Sequence, residues 1–350
     1  MATDTLIAAL GLRRNVYCLE LAGDEDAFAV CEAETACSAL DRVAPGLAIA
    51  RGITPERVRT LAYTHSASEL VATCKPEITA AELALEAASF ERKGSVAVRA
   101  RDVRSQTGVS TQHAERRLGS ILVDRGFTVD LDDPDHELRV LFSDGDVEGE
   151  QRETCLIGWL AVESRRDFGE RRPTDRPFFQ PGSMDPLDAR ALVNVVGAKP
   201  GARIVDPMCG TGGLLLEAGL VGSRVVGVDA QWKMTRGSRT NLEALLDDSV
   251  EASIIHGDAT ALPLADGCAD GVVFDAPYGR QSKIARHELT DLVGGALSEA
   301  RRIADRAVVV ADRSWEQKAR EAGWTVDHRF ERRVHGTLVR HVHVLSATPE

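Results

Sequence analysis

Ile204-Val205-Asp206-Pro207-Met208-Cys209-Gly210-Thr211-Gly212-Gly213 decides the fold of the chain's second half. Two β-branched residues end in an acid, glycines crowd the turn, and residues 214–220 continue as a helix. A strand, a glycine turn and a helix in that order open a parallel βαβ unit. The alternation persists downstream. Residues 225–228 read as a second strand ending at Asp229, and residues 231–246 as a helix. Residues 252–255 form a third strand, running out at His256-Gly257-Asp258. Residues 271–274 form a fourth, ending at Asp275-Ala276-Pro277-Tyr278. A helix over 288–303 leads to a fifth strand over 307–310. Upstream, Pro186–Val196 reads as a helix; the tail reads as two long strands, 325–335 and 337–345, with a tight turn at Gly336. The expected fold class is α/β, with a seven-stranded, mostly parallel sheet over residues 185–350.

Ligands of such sheets bind at the carboxyl ends of the strands. The sequence places an acid at each of four ends: Asp206, Asp229, Asp258 and Asp275. The turn Gly210, Thr211, Gly212 lets backbone approach a ligand closely. A dinucleotide site would continue as G-x-G-x-x-G, yet the sixth residue from Gly210 is Leu215, and no Gly-Lys-Ser/Thr exists. Asp206 beside the turn would repel a pyrophosphate and attract an ammonium. That points to S-adenosylmethionine, which carries an ammonium and a sulfonium and no phosphate. Asp229 offers two acceptor oxygens to ribose hydroxyls, and Asp258 with the Ala259 backbone suits an adenine edge. At the fourth strand, Asp275 and the carbonyl of Ala276 can accept from an exocyclic amine, Pro277 fixes the turn, and Tyr278 offers a stacking ring. A lone acid at a strand end is ordinarily a cap or a surface charge; four at one edge favour a site. Cys209 reads as a small packing residue, since amine methylation needs no covalent intermediate. Trp232 is equally an adenine flank or a packing residue, Ser183 a cofactor contact or a helix cap, and His341 and His343 read as structural.

The net charge is −12, and no run of eighteen apolar residues exists. The N-terminus lacks a basic-then-apolar signal pattern, so the expected location is cytoplasmic. Seven scattered cysteines without a Cys-x-x-Cys or Cys/His cluster suggest neither disulfides nor a metal site. Lysine occurs six times, so arginine supplies 36 of the 42 cations. An acid-rich, lysine-poor chain matches proteins of a high-salt cytoplasm; a GC-rich genome would explain arginine over lysine but not the excess of acids. Against that background, residues 90–126 carry eight cations and four acids.

The N-terminal half reads as α+β throughout. Residues 1–63 hold a strand over 15–23, a helix over 24–40 capped by Asp24, a strand over 47–51 and a helix opened by Thr54-Pro55. Residues 64–165 hold a strand at 68–74, a helix over 79–92, an alternating strand over 95–101, an amphipathic helix over 111–126 and strands at 128–131, 137–142 and 155–162. Arg99, Arg101, Arg104, Arg116 and Arg117 are the candidate phosphate-binding residues. Residues 166–184 form a connector whose three prolines deny most of it regular structure; it reads as a linker or as a lid beside the cofactor.

Two resemblances follow from these residues. The succession Val-Ala-Val-Arg, Arg-Arg-Leu-Gly and Val-Asp-Leu-Asp-Asp-Pro-Asp over 64–165 resembles a THUMP domain, an RNA-binding module of tRNA-modifying enzymes; residues 1–63 then fall in the place of a ferredoxin-like unit. Asp-Pro-x-Cys-Gly-Thr-Gly-Gly, Asp229, Asp258 and Asp-Ala-Pro-Tyr resemble a Rossmann-like class I methyltransferase of the amino-methylating group, departing at Ala276, where proline is usual. With the Pro-Gly-Ser-Met-Asp-Pro connector and the Arg-Val-His-x-x-Leu-x-Arg tail (333–340), the whole chain resembles the archaeal tRNA guanine-10 N2-methyl/dimethyltransferase family. The resemblance implies S-adenosylmethionine as cofactor, tRNA as partner through its 3′ acceptor end, and N2-methyl- and N2,N2-dimethylguanosine as products. The THUMP-like half argues against DNA, the lack of a long apolar run against a membrane span, and the expected state is a monomer. The competing readings are guanosine 6 of tRNA, a ribosomal guanine, or a non-catalytic RNA-binding protein on a decayed methyltransferase fold.

Overall fold

The computed structural model describes residues 16–278, 286–335 and 338–348. The chain divides into two units, Met1–Arg165 and Arg166–Glu350. In the first, alternating short strands come in the order β1 (Tyr17–Leu21), helix α1 (Asp26–Ala33), β2 (Cys37–Ser38), β3 (Asp41–Ala44), β4 (Leu47–Ala50), β5 (Gly52–Ile53), α2 (Pro55–Val58) and β6 (Thr64–Cys74). Then follow α3 (Ile78–Ala87), β7 (Ser95–Asp102), α4 (Thr111–Asp124), β8 (Thr128–Val129), β9 (His136–Val147) and β10 (Glu150–Glu163). Among the described residues they form one sheet of eight strands, ordered β3-β4-β1-β6-β10-β9-β7-β8, with β2 and β5 paired apart. The expected boundary at residues 63–64 falls just before β6, which pairs antiparallel with β1.

Leu85, Leu118, Leu122, Leu138 and Phe142 bury the helical face of this sheet. Phe127 stacks on Trp159 there, and Phe90 meets the same indole edge-on. Several expectations change. The helix expected over 24–40 stops at Ala33, and a strand begins at Cys37. The helix expected over 79–92 stops at Ala87, because Ala88 turns extended and Arg125 donates to the carbonyls of Glu86 and Ala88. Asp24 does not cap α1, which begins at Asp26; that side chain is buried and accepts from the Gly46 N–H and Arg104. The strand expected over 128–131 is only two residues long.

In the second unit, α5 (Pro186–Val196) begins with Asp185 accepting from the Leu187 N–H and proline in the first turn. It ends at Gly197, whose φ of 107° a residue with a side chain rarely adopts. β11 (Arg203–Asp206), α6 (Gly213–Leu220), β12 (Arg224–Asp229), α7 (Trp232–Leu245), β13 (Ala252–His256), β14 (Gly271–Asp275), α8 (Arg286–Ile303) and β15 (Arg306–Ala311) follow in alternation. The short helix α9 (Glu316–Glu321) was not expected; its charged pairs Glu316–Arg320 and Lys318–Glu321 carry no apolar period to read. β16 (Trp324–His335) and β17 (Leu338–Ala347) close the chain. The expected turn at Gly336 and the strand start at Thr337 lie outside the described residues.

The sheet order among the described residues is β13-β12-β11-β14-β15-β17-β16. Strands β11 to β15 are parallel, and β17 runs antiparallel to both β15 and β16. Val205, Val272, Phe274 and Val309 are buried at its centre, as near-continuous apolar runs in a sheet covered on both faces should be. No helix among the described residues is long and apolar enough to cross a membrane.

Candidate active site

Parallel pairing of β12, β11 and β14 brings their carboxyl ends to one edge, and with them Asp229, Asp206 and Asp275. The fourth expected acid stands differently. β13 ends at His256, and Asp258 lies beyond it, exposed, accepting from the N–H and hydroxyl of Thr260. Ala259 beside it is buried. His256 itself lies flat under Trp232, ring centroids 4.0 Å apart, and Trp232 is otherwise exposed.

Asp206 is buried and accepts from the Met208 N–H at 3.0 Å. Burial pushes its carboxyl well above the aspartate range, and the negative charges of Asp229 and Asp275 push the same way. Asp229 accepts from Gly210 N–H at 2.9 Å with one oxygen and from Gln231 N–H at 2.8 Å with the other. Its carboxyl is also raised by burial, against those two bonds. Each oxygen keeps a lone pair for a ligand. Gly212 has φ 79°, and a Cβ there would lie 2.4 Å from the Ser238 hydroxyl. Cys209 is buried, and burial raises its thiol well above the ordinary range, so it is a packing residue and no nucleophile.

Asp275 ends β14 with its side chain partly buried. Burial pushes its carboxyl up to about 6, while Arg340 and the Tyr278 hydroxyl pull it down. The Tyr278 hydroxyl donates to Asp275 Oδ1 at 2.8 Å and accepts from Arg340 Nε at 3.1 Å. Arg340 Nη2 stands 4.0 Å from Asp275 Oδ2, and its Nη1 stands 3.6 Å from Asp188, which also holds Arg332 at 2.9 Å. Burial and the Asp275 charge raise the tyrosine hydroxyl, keeping it protonated and donating. The Ala276 N–H donates to Val310 O at 2.8 Å and so prolongs the β14–β15 pairing by one residue. A proline there has no N–H to give. Alanine thus exchanges a rigid ring for a hydrogen bond, and the turn into Pro277 stays fixed.

Sequence reasoning missed three contributors. Arg340 lies on β17, and only the strand order brings it to β14's end. Asn241 on α7 accepts from Phe178 N–H and donates to the carbonyls of Phe178 and Thr211, all within 2.9 Å. It ties the connector to the glycine turn, as does the 3.1 Å contact between the Ser183 and Thr211 hydroxyls. Glu217 on α6, fully buried, takes both forks of Arg171 at 2.7 and 3.0 Å and Arg190 at 2.8 Å. These bonds dock the connector on the second unit; its prolines leave it irregular, apart from short 3-10 turns at Phe168–Arg171 and Pro173–Asp175.

In the first unit the five candidate arginines have partners in varying degree. Arg99 reaches Glu137 and the carbonyl of Leu131, Arg101 reaches buried Glu20, Arg104 reaches Asp26, and Arg117 reaches Glu82. Arg116 is exposed and carries no ion pair among the described residues. His343 proves to be structural: buried, its Nε2 accepts from the Trp315 N–H at 3.2 Å.

Residues 173–341 match the family model described as "RMKL-like, methyltransferase domain". A tRNA (guanine(10)-N2)-dimethyltransferase of Methanothermobacter thermautotrophicus is 35% identical over 297 residues, covering 82% of this chain and 83% of that one. One of Pyrococcus abyssi is 30% identical, covering 73% and 75%. A tRNA (guanine(6)-N2)-methyltransferase of Thermus thermophilus is 34% identical over 142 residues, covering 39% and 37%.

Proposed function

The chain belongs to the tRNA (guanine(10)-N2)-dimethyltransferase family, and from that membership we propose how it methylates the N2 amine of guanosine in tRNA, with guanosine 10 as the target. The observation that carries the mechanism is Asp275, held at the sheet edge by Tyr278 and Arg340.

The cofactor is S-adenosylmethionine, which supplies an electrophilic methyl group on a sulfonium. The residues fit it: the edge offers carboxylates to a cation, and Gly210 and Gly212 adopt positive φ, so that a ligand meets bare backbone. Asp206 would hold the ammonium, Asp229 the ribose hydroxyls, and Asp258 with the Ala259 backbone the adenine edge. Gly210, Thr211 and Gly212 would line the methionine end.

The guanine N2 lone pair is delocalised into the ring, so the amine is a weak nucleophile. Asp275 and the Ala276 carbonyl would accept its two N–H bonds and draw the nitrogen toward a tetrahedral geometry. Arg340 favours the charged form of Asp275, and the Tyr278 hydroxyl fixes its orientation. The tyrosine ring stays in place as a flat wall for the base. Asp275 then takes the proton that the methylated amine sheds, a role suited to a carboxyl near 6. Positioning and electrostatics supply the acceleration. A paired guanine must first rotate out of its stem.

We assign residues 1–63 and 64–165 to RNA recognition, 166–184 to the connector and 185–350 to catalysis. The working protein is a cytoplasmic monomer that acts on RNA and not on DNA. Incubation with unmodified tRNA and labelled S-adenosylmethionine, followed by mass spectrometry of the nucleosides, should give N2-methyl- and N2,N2-dimethylguanosine at position 10. Product at guanosine 6 would move the target; no N2-methylguanosine at all would sink the reading.

A further inference from the structure

Pro177, Phe178, Lys233, Arg236, Gly237 and Thr240 line an open groove of about 450 Å³ between the connector and α7. Its floor exists because position 237 is glycine: a Cβ there would lie 2.0 Å from the Phe178 ring. One wall is apolar, the Pro177 and Phe178 rings. The other is cationic, with Lys233 Nζ 5.9 Å from the Phe178 centroid.

That wall is locally basic in an acidic chain. Its net charge is −12, yet α7 carries Lys233, Arg236 and Arg239 against one acid, Glu243. Some cations of this unit, such as Arg302, Lys318 and Arg320, end on carboxylates. Lys233 and Arg236 are exposed, three residues apart on one helix face, and neither has an ion-pair partner among the described residues. Two cations without carboxylate partners, beside an apolar wall and a threonine hydroxyl, match a phosphate with its attached sugar or base.

We infer that this groove binds the sugar-phosphate backbone of the tRNA substrate, the two cations taking phosphates and the Pro177–Phe178 wall taking an adjoining nucleoside face. The inference rests on the tRNA reading above and deepens it. It assigns RNA contacts to the catalytic unit itself, on the segment that Asn241 ties to the glycine turn.

The test uses the full-length chain and an unmodified tRNA transcript. Affinity is followed by fluorescence anisotropy from low to moderate salt for the wild type, the Lys233→Ala/Arg236→Ala double variant and the charge-conserving Lys233→Arg/Arg236→Lys variant. Each phosphate released from contact lowers the slope of log K against log salt by roughly 0.7 to 0.9. The alanine variant should therefore lose about 1.5 from the slope and on the order of tenfold in affinity at low salt. The conservative variant should keep the wild-type slope. Cofactor affinity and the unfolding midpoint should not move in either, which separates lost contacts from lost folding. An alanine variant with the wild-type slope overturns the inference while leaving the tRNA reading intact. A wild-type protein that does not bind tRNA sinks both.

Discussion

A proline at position 276 would have no N–H to give to the carbonyl of Val310, which accepts from Ala276 at 2.8 Å. Ala276→Pro should therefore cost about 1–3 kcal/mol, read as a lower urea midpoint, by leaving a buried acceptor unpaired. An unchanged midpoint would show that the ring compensates fully. Asp275 gives the pH prediction. Its carboxyl sits at about 6, so kcat/KM should rise with pH through an apparent value near 6. Arg340 favours the carboxylate, so Arg340→Gln should move that limb to higher pH; a shift to lower pH would contradict the assignment. The same shift has an effect on folding. Between about 4, the unfolded value, and about 6, the folded chain holds a proton that the unfolded chain has released. Asp275 therefore makes stability fall as pH rises across that window, and Asp275→Asn should remove the dependence. The acid and its tyrosine were legible because both lie at one strand end. Arg340 was not, because 62 residues separate it from Tyr278 and only tertiary pairing joins them.

The elements were legible wherever apolar periodicity ran long. β11, β12, β14, α5 and α7 fall within one or two residues of expectation, since a buried parallel strand between a glycine turn and a helix leaves few alternatives. α3 ended early for a tertiary reason, the Arg125 contacts at its last carbonyls. The connector was legible as irregular and not as anchored: proline content shows what a segment cannot form, not what it touches. Its anchoring on α7 is testable at Gly237. Alanine is the better helix former, worth up to about 1 kcal/mol in a free helix. Here its Cβ would lie 2.0 Å from the Phe178 ring. Gly237→Ala should lower stability by about 1–3 kcal/mol, the usual cost of overpacking, and weaken cofactor affinity through Asn241 and Thr211. A variant more stable than the wild type would mean that Phe178 does not rest there in solution.

For the molecule as a whole, the division at Arg165–Arg166 suggests that each unit carries its own core. A chain lacking residues 1–165 should bind S-adenosylmethionine with an affinity within about threefold of the full chain, a change under 1 kcal/mol, yet lose tRNA methylation. Equal methylation without those residues would refute their assignment to RNA recognition. Fold class was readable from strand and helix alternation. The single sheet of the first unit was not, because β1 and β6 pair across about fifty residues and a strand's pattern names no partner. Composition adds a consequence at this scale. Arginine in place of lysine keeps bidentate phosphate geometry when salt screens the general field.

The strand β17 slips between β15 and β16 rather than adding to the edge. Until it is seated, β15 is an open rim and Arg340 is absent from Asp275. Asp275, without the guanidinium, would hold its proton to higher pH. The insertion thus couples the sheet to the site: the strand that joins β15 to β16 is also the one that carries the guanidinium favouring the charged form of Asp275.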